Sequence, residues 1–280
     1  MYSYATLDQI KTLITDDIAN LSQVGFYTSA YERQIMAFAR LATARIRRDC
    51  NRAFEPSRYT WTPNRRQLEQ FYNRTYQALI VPHDLLELIS VTFGQDSPLP
   101  ASEFDVFAEL PNHPFRYVGR KVGSWLGNTE FTMLGIWGYR EDYERDGWYS
   151  SGETLGTAIN AFDTVIPLSD TSDFSVGAIG RLGSEYVTVV VVADDEIHIR
   201  RGELGTLATS HDEATPIDLF SVEPDIVRAC AKLVEANLSN IGNMTRITVT
   251  DMSAAQTIYI PEEVQAIIQQ RRRKIAIGGW

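Results

Sequence analysis

Cysteine is scarce in this chain. Cys50 and Cys230 are the only two in 280 residues, too few for a disulfide framework, and they fit a reduced compartment. Long apolar runs are missing too. The longest, 187–193, is broken by Thr188 and falls far short of a membrane span. The opening MYSYATLDQI has no basic region leading into an apolar stretch, so no secretory signal is expected. Positive charge is in deficit: 26 Lys and Arg against 36 Asp and Glu give a net charge of −10. That balance argues against a surface that grips nucleic acid throughout.

Catalytic signatures are equally thin. There is no phosphate-cradling G-x-x-x-x-G-K-[ST], no G-x-S-x-G elbow and no H-E-x-x-H. Gly177, Gly180 and Gly183 recur every third residue, which is not the dinucleotide spacing. Of the four histidines, His83 and His113 adjoin prolines and read as turn residues. His198 and His211 flank the RGELGT turn near Asp194, Asp195 and Asp212. A metal site there is imaginable, but metal pairs sit close together on one element, so loop histidines are expected and no metal or cofactor is assigned. The acidic run Glu141, Asp142 and Glu144 reads as a solvated loop, although carboxylates are numerous enough that a glycosidase pair is not excluded.

What the chain does have is a long helix. In Ser29 to Phe54, apolar residues at Tyr31, Ile35, Phe38, Ala42, Ile46 and Cys50 step by three and four along one face. Ser29 and Glu32 have capping-box spacing, and Pro56 closes the stretch. The other face carries Arg33, Arg40, Arg47 and Arg48. These are candidates for ion pairs with a neighbouring subunit, since the acidic excess supplies partners. A shorter helix is expected over 6–22, opened by Thr6 and Gln9.

From Arg58 to Tyr139 the period changes to two, in short aromatic and β-branched runs divided by turns such as Gly94–Pro98 and Leu110–Pro114. Arg140 to Gly156 is polar and reads as a linker. A second β block over 157–220 contains YVTVVVV, the pattern of a strand buried on both faces. Helices return at 224–240 and 261–274, the last with Glu262 and Glu263 in its first turn and Arg271 to Lys274 in its last. The expected class is therefore α+β. A helical bundle is built from N- and C-terminal helices (1–54 and 223–280), with an antiparallel β insertion (55–150) and a small β-barrel-like insertion (151–222). Cys50 and Cys230, on apolar helix faces, are expected to be buried and unbridged.

Four stretches carry a resemblance in their order along the chain. They are IRRDCNRAFEP (Ile46–Pro56), LIVPHDLLELISVT (Leu79–Thr92), LGIWGY (Leu134–Tyr139) and IPEEVQAIIQQRRRK (Ile260–Lys274). Together they resemble the head–tail connector (adaptor, or head-completion) proteins of tailed bacteriophages. SVGAIGRLGSEYVTV and RGELGTLATSHDEAT, within 157–220, resemble a small β module that recurs in phage structural proteins.

The resemblance implies a non-enzymatic virion protein at the head–tail interface, the neck, assembled in the host cytoplasm. It implies a homo-oligomeric, dodecameric ring below the portal protein that extends the DNA channel without binding DNA specifically. The ring would contact a neck, stopper or tail-completion protein and, through its β module, the capsid; no membrane is involved. Portal docking is assigned to the tail: Arg271, Arg272, Arg273, Lys274, Ile275, Ile277 and Trp280. The rival reading is a tail-associated glycan-binding or glycan-cleaving protein. It is weakened because Thr157 to Phe220 has no Trp and only Tyr186.

Overall fold

The computed structural model describes residues 2–18, 29–63, 71–74, 77–110, 113–123, 125, 130–141, 147–244 and 260–273. Among them are four helices: α1 (Leu7–Ile18), α2 (Ser29–Cys50), α3 (Pro224–Met244) and α4 (Glu262–Arg271). Seven strands form one antiparallel sheet: β1 (Ser57–Trp61), β2 (Tyr72–Asn73), β3 (Ala78–Phe93), β4 (Leu99–Pro100), β5 (Phe104–Phe107), β6 (Phe115–Arg120) and β7 (Phe131–Trp137). Six form another: β8 (Trp148–Thr154), β9 (Val165–Pro167), β10 (Ile179–Leu182), β11 (Glu185–Val192), β12 (Glu196–Arg200) and β13 (Pro216–Phe220).

This overturns the expected class. The protein is sheet-rich, with two antiparallel sheets of seven and six strands, and is not a helical bundle carrying small β insertions. The expected barrel-like block is a sheet whose strand path, β8-β13-β10-β11-β12-β9, has two ends. Periodicity identifies the helices but does not weigh them against the strands. Short strands with turns between them look minor in sequence, and their ladders make them the larger structure.

The chain divides into two compact units. The first comprises Met1–Asn51, Trp148–Glu203 and Leu207–Arg272, so the six-stranded sheet belongs with the helices. The reciprocal capping box opens α1: Thr6 N donates to Gln9 Oε1 at 2.9 Å and Gln9 N to Thr6 Oγ1 at 3.4 Å. On α2, Ile35, Ala42, Ile46 and Cys50 are buried as their spacing predicts. The helix stops at Cys50 rather than Phe54 because Asn51 takes a left-handed φ of 51° and donates its N–H to Arg48 O. Conversely α3 runs through Gly242 to Met244, since one helical glycine costs only about 1 kcal/mol. Cys50 and Cys230 are both buried, unbridged thiols, and burial pushes Cys230 up to about 11.

The six-stranded sheet joins α1 through Leu7 N to Val176 O (3.0 Å) and Asp8 N to Ser175 Oγ (3.3 Å). Its core is aliphatic, including Leu155, Ile166, Leu182, Val187, Ile197 and Leu219. β11 lies between β10 and β12, and Glu185 to Val189 are buried, but beyond a register shift at Val189–Val191 the YVTVVVV run comes to the surface, with Val191 46% exposed. The expected linker is partly this sheet's end strand β8. Its polar sequence is tolerated because only one neighbour, β13, pairs with it.

The second unit comprises Arg52–Gly147, Leu204–Thr206 and Arg273–Trp280. Here the apolar runs YQALIVP and LISVTFG are joined in one strand. β3 runs for 16 residues through Pro82, accommodating it with register shifts against β6 between Ile80 and Leu85. The core combines the rings of Trp61, Phe93, Phe104, Trp125, Phe131 and Trp137 with aliphatic side chains such as Leu79, Leu85 and Val118.

Candidate functional site

The most constrained polar centre lies in the first unit, on residues of the two stretches quoted for the β module, to which no site role was assigned. Glu185, at the start of β11, has a fully buried side chain. Arg201 Nε donates to its Oε1 at 2.7 Å and Arg201 Nη2 to its Oε2 at 2.8 Å, a bidentate pair. Gly202 N (2.9 Å) and Thr209 N (3.1 Å) donate to the same carboxylate, and His211 Nε2 lies 2.8 Å from Oε2. Because an ionised carboxylate only accepts, His211 carries its proton on Nε2 here. Burial alone would raise the Glu185 carboxyl; the bonds from Arg201, His211, Thr209 and Gly202 outweigh it and hold it at about 2.

Arg201 is as fully engaged as its partner. Its Nη1 also donates to Asn160 O (2.8 Å) and Asp163 O (2.9 Å), and its Nη2 to Thr209 O (2.6 Å). The centre thus ties together β11, the 160–163 turn and the loop after β12. A carboxylate near 2 with its lone pairs occupied is a poor proton acceptor at neutral pH, so its chemistry is cross-linking. The sequence hint was that Glu185 lies in SVGAIGRLGSEYVTV and that Arg201, Gly202, Thr209 and His211 all lie in RGELGTLATSHDEAT, the two stretches that resemble a phage β module.

The remaining expected features are dispersed. His198 pairs with Glu196 at 2.9 Å, near the surface and away from His211's carboxylate. Among the described residues no three or more His, Cys, Asp or Glu come together in a way that could hold a metal ion. Tyr186, the one Tyr in 157–220 on which the rival glycan reading would rest, is 4% exposed and lies against Trp148 with ring centres 5.2 Å apart. A cavity of about 270 Å³ opens beside the start of α1, lined by Ser3, Tyr4, Asp8, Tyr149, Asp173 and Phe220 among others. Burial, and then Asp173, raise the Tyr149 hydroxyl.

On α2, Arg33, Arg47 and Arg48 are exposed and Arg40 is half-buried. Arg47 Nη1 donates to Tyr2 OH at 3.1 Å, and Arg48 Nε lies 2.9 Å from Asp49 Oδ1. The C-terminal arginines separate. Arg271, in the first unit, pairs with Asp225 (2.6 Å) and Glu223 (3.4 Å). Arg272 is exposed. Arg273, in the second unit, is buried and donates to the carbonyls of Pro82 and Val81 on β3. Burial lowers its pKa, against the pull of Asp84 at 3.9 Å. Lys274, Ile275, Ile277 and Trp280 lie outside the described residues, as does the RITVT stretch within 245–250.

Among the described residues, no helix is long and apolar enough to cross a membrane. Compared with known proteins, the chain matches no family model, no curated protein and no solved structure.

Proposed function

We propose that this chain is a structural protein of a tailed-phage neck, a non-enzymatic subunit that assembles as a ring below the portal and extends the DNA channel. The observation that carries the reading is the separation of charge within the first unit. Residues 148–222 hold twelve Asp or Glu against only Arg181, Arg200 and Arg201, while α2 displays Arg33, Arg47 and Arg48 to solvent. A subunit with one basic and one acidic surface is suited to head-to-tail association, the geometry that closes rings. The acidic excess suits a channel that DNA slides through, since a basic wall would hold phosphates by counterion release. The ordered motifs in Ile46–Pro56, Leu79–Thr92, Leu134–Tyr139 and Ile260–Lys274 support the same reading. So does the commitment of Glu185 to cross-linking rather than proton transfer.

In this reading the tail grips the portal, with Arg272 its exposed charge among the described residues and Lys274, Ile275, Ile277 and Trp280 beyond it. Negative-stain imaging of the purified chain should show rings. Truncation after Arg273, which keeps the internal bonds of Arg271 and Arg273, should abolish capture by portal rings. Dispersed monomers that ignore the portal would overturn the reading.

A further inference from the structure

Two of the most exposed apolar side chains in the first unit stand on loops that the Glu185 centre holds in place. Phe162 is 90% exposed and Leu207 is 81% exposed. Phe162 sits in a turn closed by its own neighbours: Phe162 N donates to Asn160 Oδ1 at 2.7 Å and Asn160 N to Asp163 Oδ2 at 2.8 Å. The carbonyls of Asn160 and Asp163 both accept from Arg201 Nη1. Leu207 lies two residues before Thr209, whose N–H and carbonyl are bonded to Glu185 and Arg201. The two loops therefore converge on one guanidinium, and neither can relax to bury its apolar residue without opening a buried ion pair. A ring and a leucine fixed in water on rigid loops are preorganised anchors.

We propose that Phe162 and Leu207 seat on the exposed face of α2 in a second copy of this chain. That face consists of Ala30, Gln34, Ala37, Leu41, Ala44 and Arg48, all exposed and spaced alternately by four and three as in a coiled-coil seam. The alanines leave room for an aromatic ring, Leu41 is 63% exposed, and Arg33 and Arg47 border the stripe. The loop that carries Leu207 continues past His211 into Asp212 and Glu213, both exposed and of the opposite charge. Apolar meets apolar and acid meets arginine, a match of shape and sign. An anionic lipid surface or a nucleic acid would be repelled by the acidic rim. Because the two patches differ, the contact is heterologous and propagates from copy to copy. It rests on the ring reading's premise that copies associate head to tail, and on nothing about a portal.

The test is a complementary charge reversal followed by sedimentation. The parent chain should assemble, and Phe162→Ser with Leu207→Ser should sediment as a monomer with unchanged circular dichroism. Arg47→Glu with Arg48→Glu, and separately Asp212→Lys with Glu213→Lys, should each weaken assembly by about tenfold or more. Mixing these two charge variants should restore it, because in an alternating assembly every reversed helix meets a reversed rim. Misfolded chains cannot produce that rescue. A parent that stays monomeric at its highest soluble concentration, variants that assemble like the parent, or a mixture that does no better than its components would each overturn the proposal. Restored assembly without portal capture would keep this contact and remove the neck reading. Portal capture by a monomeric parent would do the reverse.

Discussion

The two sheets bury their inner faces with different side chains. The seven-stranded sheet relies on rings: Trp137 stacks on Tyr59 with centres 5.0 Å apart, Trp61 meets Phe131 edge-on at 6.0 Å, and Trp125 lies 4.9 Å from Phe131. The six-stranded sheet is almost wholly Leu, Ile and Val, with Phe174 the single ring in its core. Their arginine–carboxylate contacts differ in the same way. Around Asp84 the pairs are single and long, 3.2 Å to Arg52 and 3.9 Å to Arg273, and Arg52 also stacks over Tyr139 at 3.7 Å. Around Glu185 they are bidentate and short, with backbone donors filling the rest. Large rings fill much of the volume under the seven-stranded sheet, and a ring such as Trp137 adds a bond of its own to Tyr59 O. The aliphatic core of the six-stranded sheet lies under its strands, and its 160–163 turn and 201–209 loop are held by directional bonds to Glu185 and Arg201.

The largest break in this comparison should come from Trp137→Ala, which removes a side chain 1% exposed and the bond from its Nε1 to Tyr59 O. A loss of about 3–5 kcal/mol is expected in urea unfolding, with Trp137→Phe milder. Amides of β3 and β7 should lose hydrogen-exchange protection before those of β11. Glu185→Gln should cost about 3 kcal/mol, because it leaves Arg201 buried without its counter-charge. Here the protection lost should be in β11 and the 160–163 turn. Equal losses in both sheets would erase the distinction.

Acid sharpens the same point. Glu185 is held at about 2, below its ordinary 4.5, so its stabilisation is complete above about 4.5 and fades as pH falls toward 2. The difference in melting temperature between the parent and Glu185→Gln should narrow over that window and stay constant from pH 5 to 7. A gap that widens in acid would contradict the assigned charge state. Gly177→Ala should cost about 2 kcal/mol, since a Cβ there would lie 2.6 Å from Met36 Cε and 2.8 Å from Ser3 Oγ at a φ of 95°. The smallest effect belongs to the loop tips. Phe162→Ser and Leu207→Ser should leave monomer stability within about 0.5 kcal/mol, because neither side chain is buried in the chain itself.

Sequence by itself determined the parts of this protein whose cause is local. The steps of three and four in α2, the Thr6–Gln9 box, the acidic first turn of α4 and the run in β11 each depend on residues within a few positions of one another. Each appears where its pattern stands. Cys50 and Cys230 belong with them, because a helix face that is apolar throughout has one direction to point. What tertiary structure alone decided depends on register between distant segments. It made sheets of strands that seemed minor and drew the polar WYSSGET into a ladder with β13. It also brought Arg201 and His211 onto the Glu185 carboxylate across sequence gaps of 16 and 26 residues. None of those residues is unusual for its neighbourhood in the chain. Their meeting follows from which strands pair and where their loops return, and that is set by the burial of whole sheet faces.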